Sequence, residues 1–215
     1  MRLQTLDPPT RALLALAGAV ATGDEASVSA GCRACLDQGT ATLWVDELLL
    51  QSTLIVGWPR ALSALAIWRR HAGGVGGVGE DGGVGEVGED GTDYGRAAVW
   101  RARGEAVCRE VYGKNYARLR ENVRALHPAL EAWMVVEGYG RTLGRPGLDL
   151  ARRELATVVQ VAVQGAEQQL HAHLKGALNA GASRAAVAAA LELSRPLLGS
   201  REAALAERVW QRVRA

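Results

Sequence analysis

Leu6-Asp7-Pro8-Pro9-Thr10-Arg11-Ala12-Leu13 returns, 142 residues later and without a gap, as Leu148-Asp149-Leu150-Ala151-Arg152-Arg153-Glu154-Leu155. Followed outward, the same register pairs Gly23, Gly39 and Gly57 with Gly165, Gly181 and Gly199, and Trp68 with Trp210. Seventeen positions between residues 6 and 70 are identical in the two copies, roughly four times what average residue usage gives by chance. Glycines punctuate helices, so an ungapped register at glycines points to two copies of one folding unit.

Each copy reads as four helices, because apolar residues recur at spacings of three and four rather than two. In the first copy they run from Asp7-Pro8-Pro9 to about Ala21, from Asp24 to Gln38, from Leu43 to Val56 with Thr40 as the cap, and from Trp58-Pro59 to His71. Asp as N-cap followed by proline in the first turn is a standard helix opening. The second copy repeats the plan over 149–164, 166–180, 183–198 and 200–214. Between the copies, two further helices are expected at 97–111 and 116–143, the second broken near His127-Pro128. The expected fold is all-α, built from two tandem helical repeats, at 1–71 and 96–215.

Residues 72–95 are almost purely Gly, Val, Glu and Asp. Such a tract loses much entropy on ordering and buries little, so it reads as a flexible linker. Its GxGxxG-like spacings do not make a phosphate loop: no strand precedes them, no Lys-Ser/Thr follows, and the acids would repel phosphate.

The 215 residues carry 25 Lys and Arg against 23 Asp and Glu. A balance this close to neutral gives no electrostatic case for nucleic acid or a membrane surface. No apolar run approaches the roughly 18 residues that span a bilayer, and the first residues lack an apolar leader, so cytoplasm is the expected location. Three cysteines, an odd number, do not suggest a disulfide framework.

The copies differ where chemistry could sit. Glu154 precedes the turn at Gly165 by eleven residues and His173 follows it by eight. In an antiparallel helix pair these lie about 16 and 12 Å from the turn, so the two side chains can meet. A carboxylate that orients an imidazole suits proton transfer near neutral pH. Their counterparts in the first copy, Ala12 and Gly31, carry no such groups, which leaves at most one site per chain. A structural explanation also fits: acids favour the first turn of a helix, and a histidine can fill a helix interface. His171 and His173 are two apart on a helix and point to nearly opposite sides, so a shared metal ion is not expected.

Arg145-Pro146-Gly147-Leu148-Asp149, Arg153-Glu154-Leu155 and the run Leu170-His171-Ala172-His173 to Ala177-Leu178-Asn179-Ala180-Gly181 resemble the carboxymuconolactone decarboxylase family. The likeness is strongest from about Arg103 onward. It extends to Glu47-Leu48-Leu49-Leu50-Gln51 and Gly57-Trp58-Pro59-Arg60-Ala61 in the first copy. The resemblance implies an alkylhydroperoxidase D-like fold and a homo-oligomer, a trimer or hexamer, in which neighbouring subunits complete the pocket. It places catalytic roles on His173 and Glu154, and substrate contacts on Arg145, Asn179 and Tyr139. It implies cofactor-free acid/base chemistry, decarboxylation or proton transfer, on a small carboxylate or lactone, with no cofactor and no metal. Two departures stand out. Arg141 occupies the position of a glutamate in the decarboxylase, and the redox branch's C-x-x-C-x-x-x-H motif would need cysteines where Ala166 and Gln169 stand. A thiol antioxidant and a non-catalytic oligomer that binds a small acid are the alternatives. Cys32 and Cys35 share a helix face but have no histidine at matching spacing, and with Cys108 they read as core.

Overall fold

In the computed structural model, which describes residues 3–72, 89 and 91–215, the first copy is α1 (Pro8–Thr22), α2 (Glu25–Asp37), α3 (Thr42–Ile55) and α4 (Trp58–Ala72). Then come α5 (Ala97–Tyr112), α6 (Tyr116–Leu126), α7 (Pro128–Trp133) and a π-helix (Met134–Leu143). The second copy is α8 (Leu150–Val163), α9 (Glu167–Asn179), α10 (Arg184–Ser194) with a 3-10 turn after it, and α11 (Ser200–Arg214). Among the described residues the fold is all-α, and strand-like pairing is limited to one isolated bridge between Leu3 and Ala182.

Each copy opens on an aspartate cap. The Asp7 carboxylate accepts from the Thr10 amide at 2.8 Å, and Asp149 accepts from the Arg152 amide at 3.1 Å. The buried Arg152 guanidinium joins the two capped ends, donating to Asp149 at 2.6 Å, to Asp7 at 3.2 Å and to the Thr10 hydroxyl at 2.8 Å. Thr10 and Arg152 occupy equivalent positions, so α1 and α8 meet at matching points of their own repeats. Both helices are buried around nearly their whole circumference, as central helices of a layered helical core must be. Buried residues of both copies form one hydrophobic cluster, which includes Leu13, Leu16, Val20, Leu155, Val158 and Leu174.

The turns repeat with one exception. Gly23 and Gly165 both take a left-handed φ, +79° and +65°, after the first helix of each copy. Gly57 does so at +82°, but its counterpart Gly199 has φ −68°. Arg195-Pro196-Leu197 forms a 3-10 turn there, and Leu198 leaves it extended, so the chain reaches α11 without a left-handed residue.

One expectation needs correction. Thr40 does not cap α3; its hydroxyl donates to the Pro9 carbonyl, and Ala41 starts the helix without a side-chain cap. The break expected near His127-Pro128 falls at His127, where proline in the next position forces an extended backbone, and beyond it the chain adds an unexpected π-helix at Met134–Leu143. The glycine tract lies largely outside the described residues. Of its described part, Glu89 accepts hydrogen bonds from Trp100 and Arg103.

Against the core lies a second layer, α5 crossed by the π-helix. A Cβ on Gly104 would collide with the Val135 carbonyl, and one on Gly140 with the Trp100 carbonyl. Two bare glycines therefore let the backbones touch. That contact brings Tyr139 of the π-helix, with Leu143, beside Cys108 and Val111 of α5 in a smaller apolar cluster.

Candidate functional site

The α8–α9 hairpin brings the expected pair together. Nδ1 of His173 lies 2.8 Å from Oε2 of Glu154, and the carboxylate is completely buried. The imidazole keeps 11% of its side-chain surface exposed, and no hydrogen bond engages its Nε2 among the described residues. The second carboxylate oxygen, Oε1, is buried with no hydrogen-bond partner among the described residues. An orphaned buried acceptor is rare enough in folded proteins to need a reason.

Room for the carboxylate comes from Gly176, one turn beyond His173. A Cβ there would sit 2.5 Å from Glu154 Oε2 and 2.8 Å from Val111 Cγ1. The sequence reading missed this residue, although Ala34 at the equivalent position of the first copy was a visible signal.

The other expected residues divide. Tyr139 is buried and donates a 2.8 Å hydrogen bond to the Tyr112 hydroxyl. Burial pushes both phenols up, and the Glu154 charge pushes them in the same direction, so the pair remains protonated beside the carboxylate. Tyr112, absent from the expected set, thus joins it through Tyr139. Asn179 donates to the Val111 carbonyl at 2.8 Å and tethers α9 to α5. Arg145 turns to the first copy: its Nε lies 3.0 Å from Glu47 Oε1. Arg153, fully buried, reaches the other oxygen of Glu47 at 2.7 Å and exchanges hydrogen bonds with Gln51. The first copy is therefore bare at positions 12 and 31 but supplies Glu47 and Gln51 to a buried ionic cluster on α8. Arg141 donates to Glu137 and lies over the Tyr94 and Trp100 rings, 4.7 and 5.3 Å from their centroids.

The three cysteines are free and buried. Burial pushes the Cys32 thiol up to about 11 and the Cys35 and Cys108 thiols up to about 12. A peroxidatic or disulfide-exchanging thiol needs the opposite, a thiolate at neutral pH with a resolving partner. Cys32 and Cys35 stand where the second copy has Leu174 and Ala177, both core residues.

The largest of the described pockets, about 850 Å³, is an open groove between α9 and the α5–α6 corner. Tyr112, Ala172 and Asn179 line it; His173 and Glu154 do not. Among the described residues no group of three His, Cys, Asp or Glu side chains is placed to hold a metal ion. No described helix is long and apolar enough to cross a membrane.

The family model for carboxymuconolactone decarboxylases matches residues 1–70 and 128–212, which takes in all of both helical copies apart from the last two residues of α4 and of α11. The chain belongs to the carboxymuconolactone decarboxylase family. Its all-α architecture is the alkylhydroperoxidase D-like fold. The match includes Glu47, Glu154 and His173 but leaves out 71–127, so the likeness does not reach back to Arg103 in the second half. Comparison with curated proteins gave no match.

Proposed function

We propose that the chain carries out cofactor-free acid/base chemistry, decarboxylation or proton transfer, on a small carboxylate or lactone. His173 carries the proton and Glu154 holds the ring. One observation supports this above the rest: a buried carboxylate engages Nδ1 and leaves Nε2 uncommitted at the exposed edge of the imidazole. A ring fixed in that way presents a single nitrogen to a reacting carbon. Nε2 takes a proton from a carbon beside a carbonyl, or returns one to the carbanion left when carbon dioxide departs, and the imidazolium formed is neutralised by Glu154. Membership of the family supports decarboxylation as the example to test first.

The rival reading is a non-catalytic oligomer that binds a small acid. It is favoured by the absence of His173 and Glu154 from the lining of the groove. The exposed Trp58, Leu62, Leu126 and Trp133 support assembly of copies of this chain, read here as a trimer or hexamer. Three unbonded cysteines support a cytoplasmic setting. The deciding experiment incubates small lactones and keto acids in deuterated water and follows carbon dioxide release and deuterium incorporation by NMR. His173→Ala and Glu154→Gln lower the rate by about 10²- to 10⁴-fold. Turnover at the wild-type rate in folded His173→Ala overturns the catalytic assignment.

A further inference from the structure

The groove beside the pair has walls of one sign. Lys114, in the 3-10 turn that leads into α6, and Arg118 and Asn122 on α6 line one wall, and His171, Lys175 and Asn179 recur at intervals of four along α9 on the other. Residues four apart on a helix share a face, so the α9 donors form a ladder about 12 Å long that confronts the donors of the α6 wall across the groove. Among the described residues no acid lines the groove. Nearby arginines are neutralised: Arg109 by Glu105, Arg120 by Glu105 and Glu131, and Arg124 by Glu131. Lys114, Arg118 and Lys175 have no ion pair or hydrogen bond with any described residue. Asn115, which lines the groove, starts α6 without a side-chain cap, and a helix N-terminus adds positive potential.

Burial and the charges of Lys175 and Arg212 pull the His171 imidazole below its ordinary value, which agrees with a groove held positive. Three unneutralised cations facing one space repel one another unless an anion enters.

We infer that this groove binds a small organic dianion, one acidic group held by Lys114 and Arg118 and the other by Lys175, with the asparagine amides completing the contacts. The inference goes beyond the acid/base reading, because His173 and Glu154 do not line the groove; it names a ligand site next to the pair, and only the step of calling the occupant their substrate rests on that reading. Cations on both walls select two negative groups over one. A volume of about 850 Å³ suits a small molecule, while the near-neutral chain offers no extended basic track for a nucleic acid. The α6 wall comes from residues 71–127, outside the family match, whereas the α9 wall lies inside it.

Calorimetric titration at low ionic strength compares pentanoate with glutarate, which has the same carbon chain and a second carboxylate, and with pyrophosphate. Glutarate or pyrophosphate binds about tenfold or more tightly than pentanoate, and whichever wins names the acidic group. Arg118→Glu and Lys175→Glu each weaken the dianion by about tenfold or more without moving the melting midpoint. Arg33→Glu, at the position of the first copy equivalent to Lys175, leaves binding unchanged. Equal affinity for pentanoate and both dianions, or wild-type binding by both charge-reversed variants, overturns the inference. His173→Gln retains dianion binding, so loss of turnover alone leaves the groove standing, and loss of dianion binding alone leaves the acid/base pair standing.

Discussion

The hairpins α1–α2 and α8–α9 follow the same chain path with opposite interiors. In the first, Gly31 lies so near Leu16 that a Cβ would meet its side chain at 3.1 Å and its Cα at 3.3 Å. In the second, that position holds a whole imidazole, Leu16 is replaced by the smaller Val158, and Ala12 by Glu154. The glycine that permits close approach has moved one turn along the helix, from 31 to 176, where Ala34 stands in the first copy. Inserting a carboxylate–imidazole pair into an apolar helix interface thus takes concerted change at four positions, and a single substitution does not convert one hairpin into the other.

The largest effect tests whether the pair is a unit. His173→Ala strands a buried carboxylate and costs about 3 kcal/mol or more. The double variant Glu154→Leu with His173→Leu costs less, because no unpaired charge remains. Urea denaturation of the two measures the difference, and a double variant less stable than the single one breaks the comparison. Next comes the displaced glycine. Gly176→Ala costs about 1–3 kcal/mol by overpacking against Glu154 and Val111, whereas Ala34→Gly in the first copy costs only about 0.5–1 kcal/mol of helix propensity. Equal losses would mean that the carboxylate does not shape α9.

The helix caps should behave alike. Asp7→Ala and Asp149→Ala each cost about 1 kcal/mol. Burial acts to raise the Asp7 carboxyl, but the Thr10 hydrogen bonds and Arg152 outweigh it and hold it below its ordinary 3.8. Folding therefore favours the carboxylate. This contribution is present above pH 3.8 and lost as pH falls through the lower folded value, and Asp7→Asn flattens the acid limb of the stability profile. The smallest effect at neutral pH belongs to the cysteines: Cys32→Ala with Cys35→Ala leaves turnover unchanged. Their raised folded values give the opposite sign, with stability complete below 9.0 and falling as pH rises towards about 11 for Cys32 and about 12 for Cys35. Thiol-dependent peroxide turnover lost in that variant would restore the antioxidant reading.

The helical plan was legible because glycine register and apolar spacing are local signals. The four helices of the first copy lie within one residue of their expected bounds. The Glu154–His173 contact followed from counting residues about one turn. Other features depend on distant partners. Arg145 binds Glu47, 98 residues away, and nothing local in Arg145-Pro146-Gly147 reveals it. Tyr112 enters through a hydroxyl contact with a π-helix, whose wide turn has no spacing signature of its own. Lys114, Arg118 and Lys175 are scattered in sequence and become a groove only when α6 is laid against α9.

The most direct test is the tautomer of His173, read from long-range ¹H–¹⁵N spectra taken above the histidine titration range, with His173→Gln to assign the signal. A proton on Nδ1, held towards Glu154, and a bare Nε2 are expected. A proton on Nε2, as in an unconstrained imidazole, would contradict a ring aimed by its carboxylate.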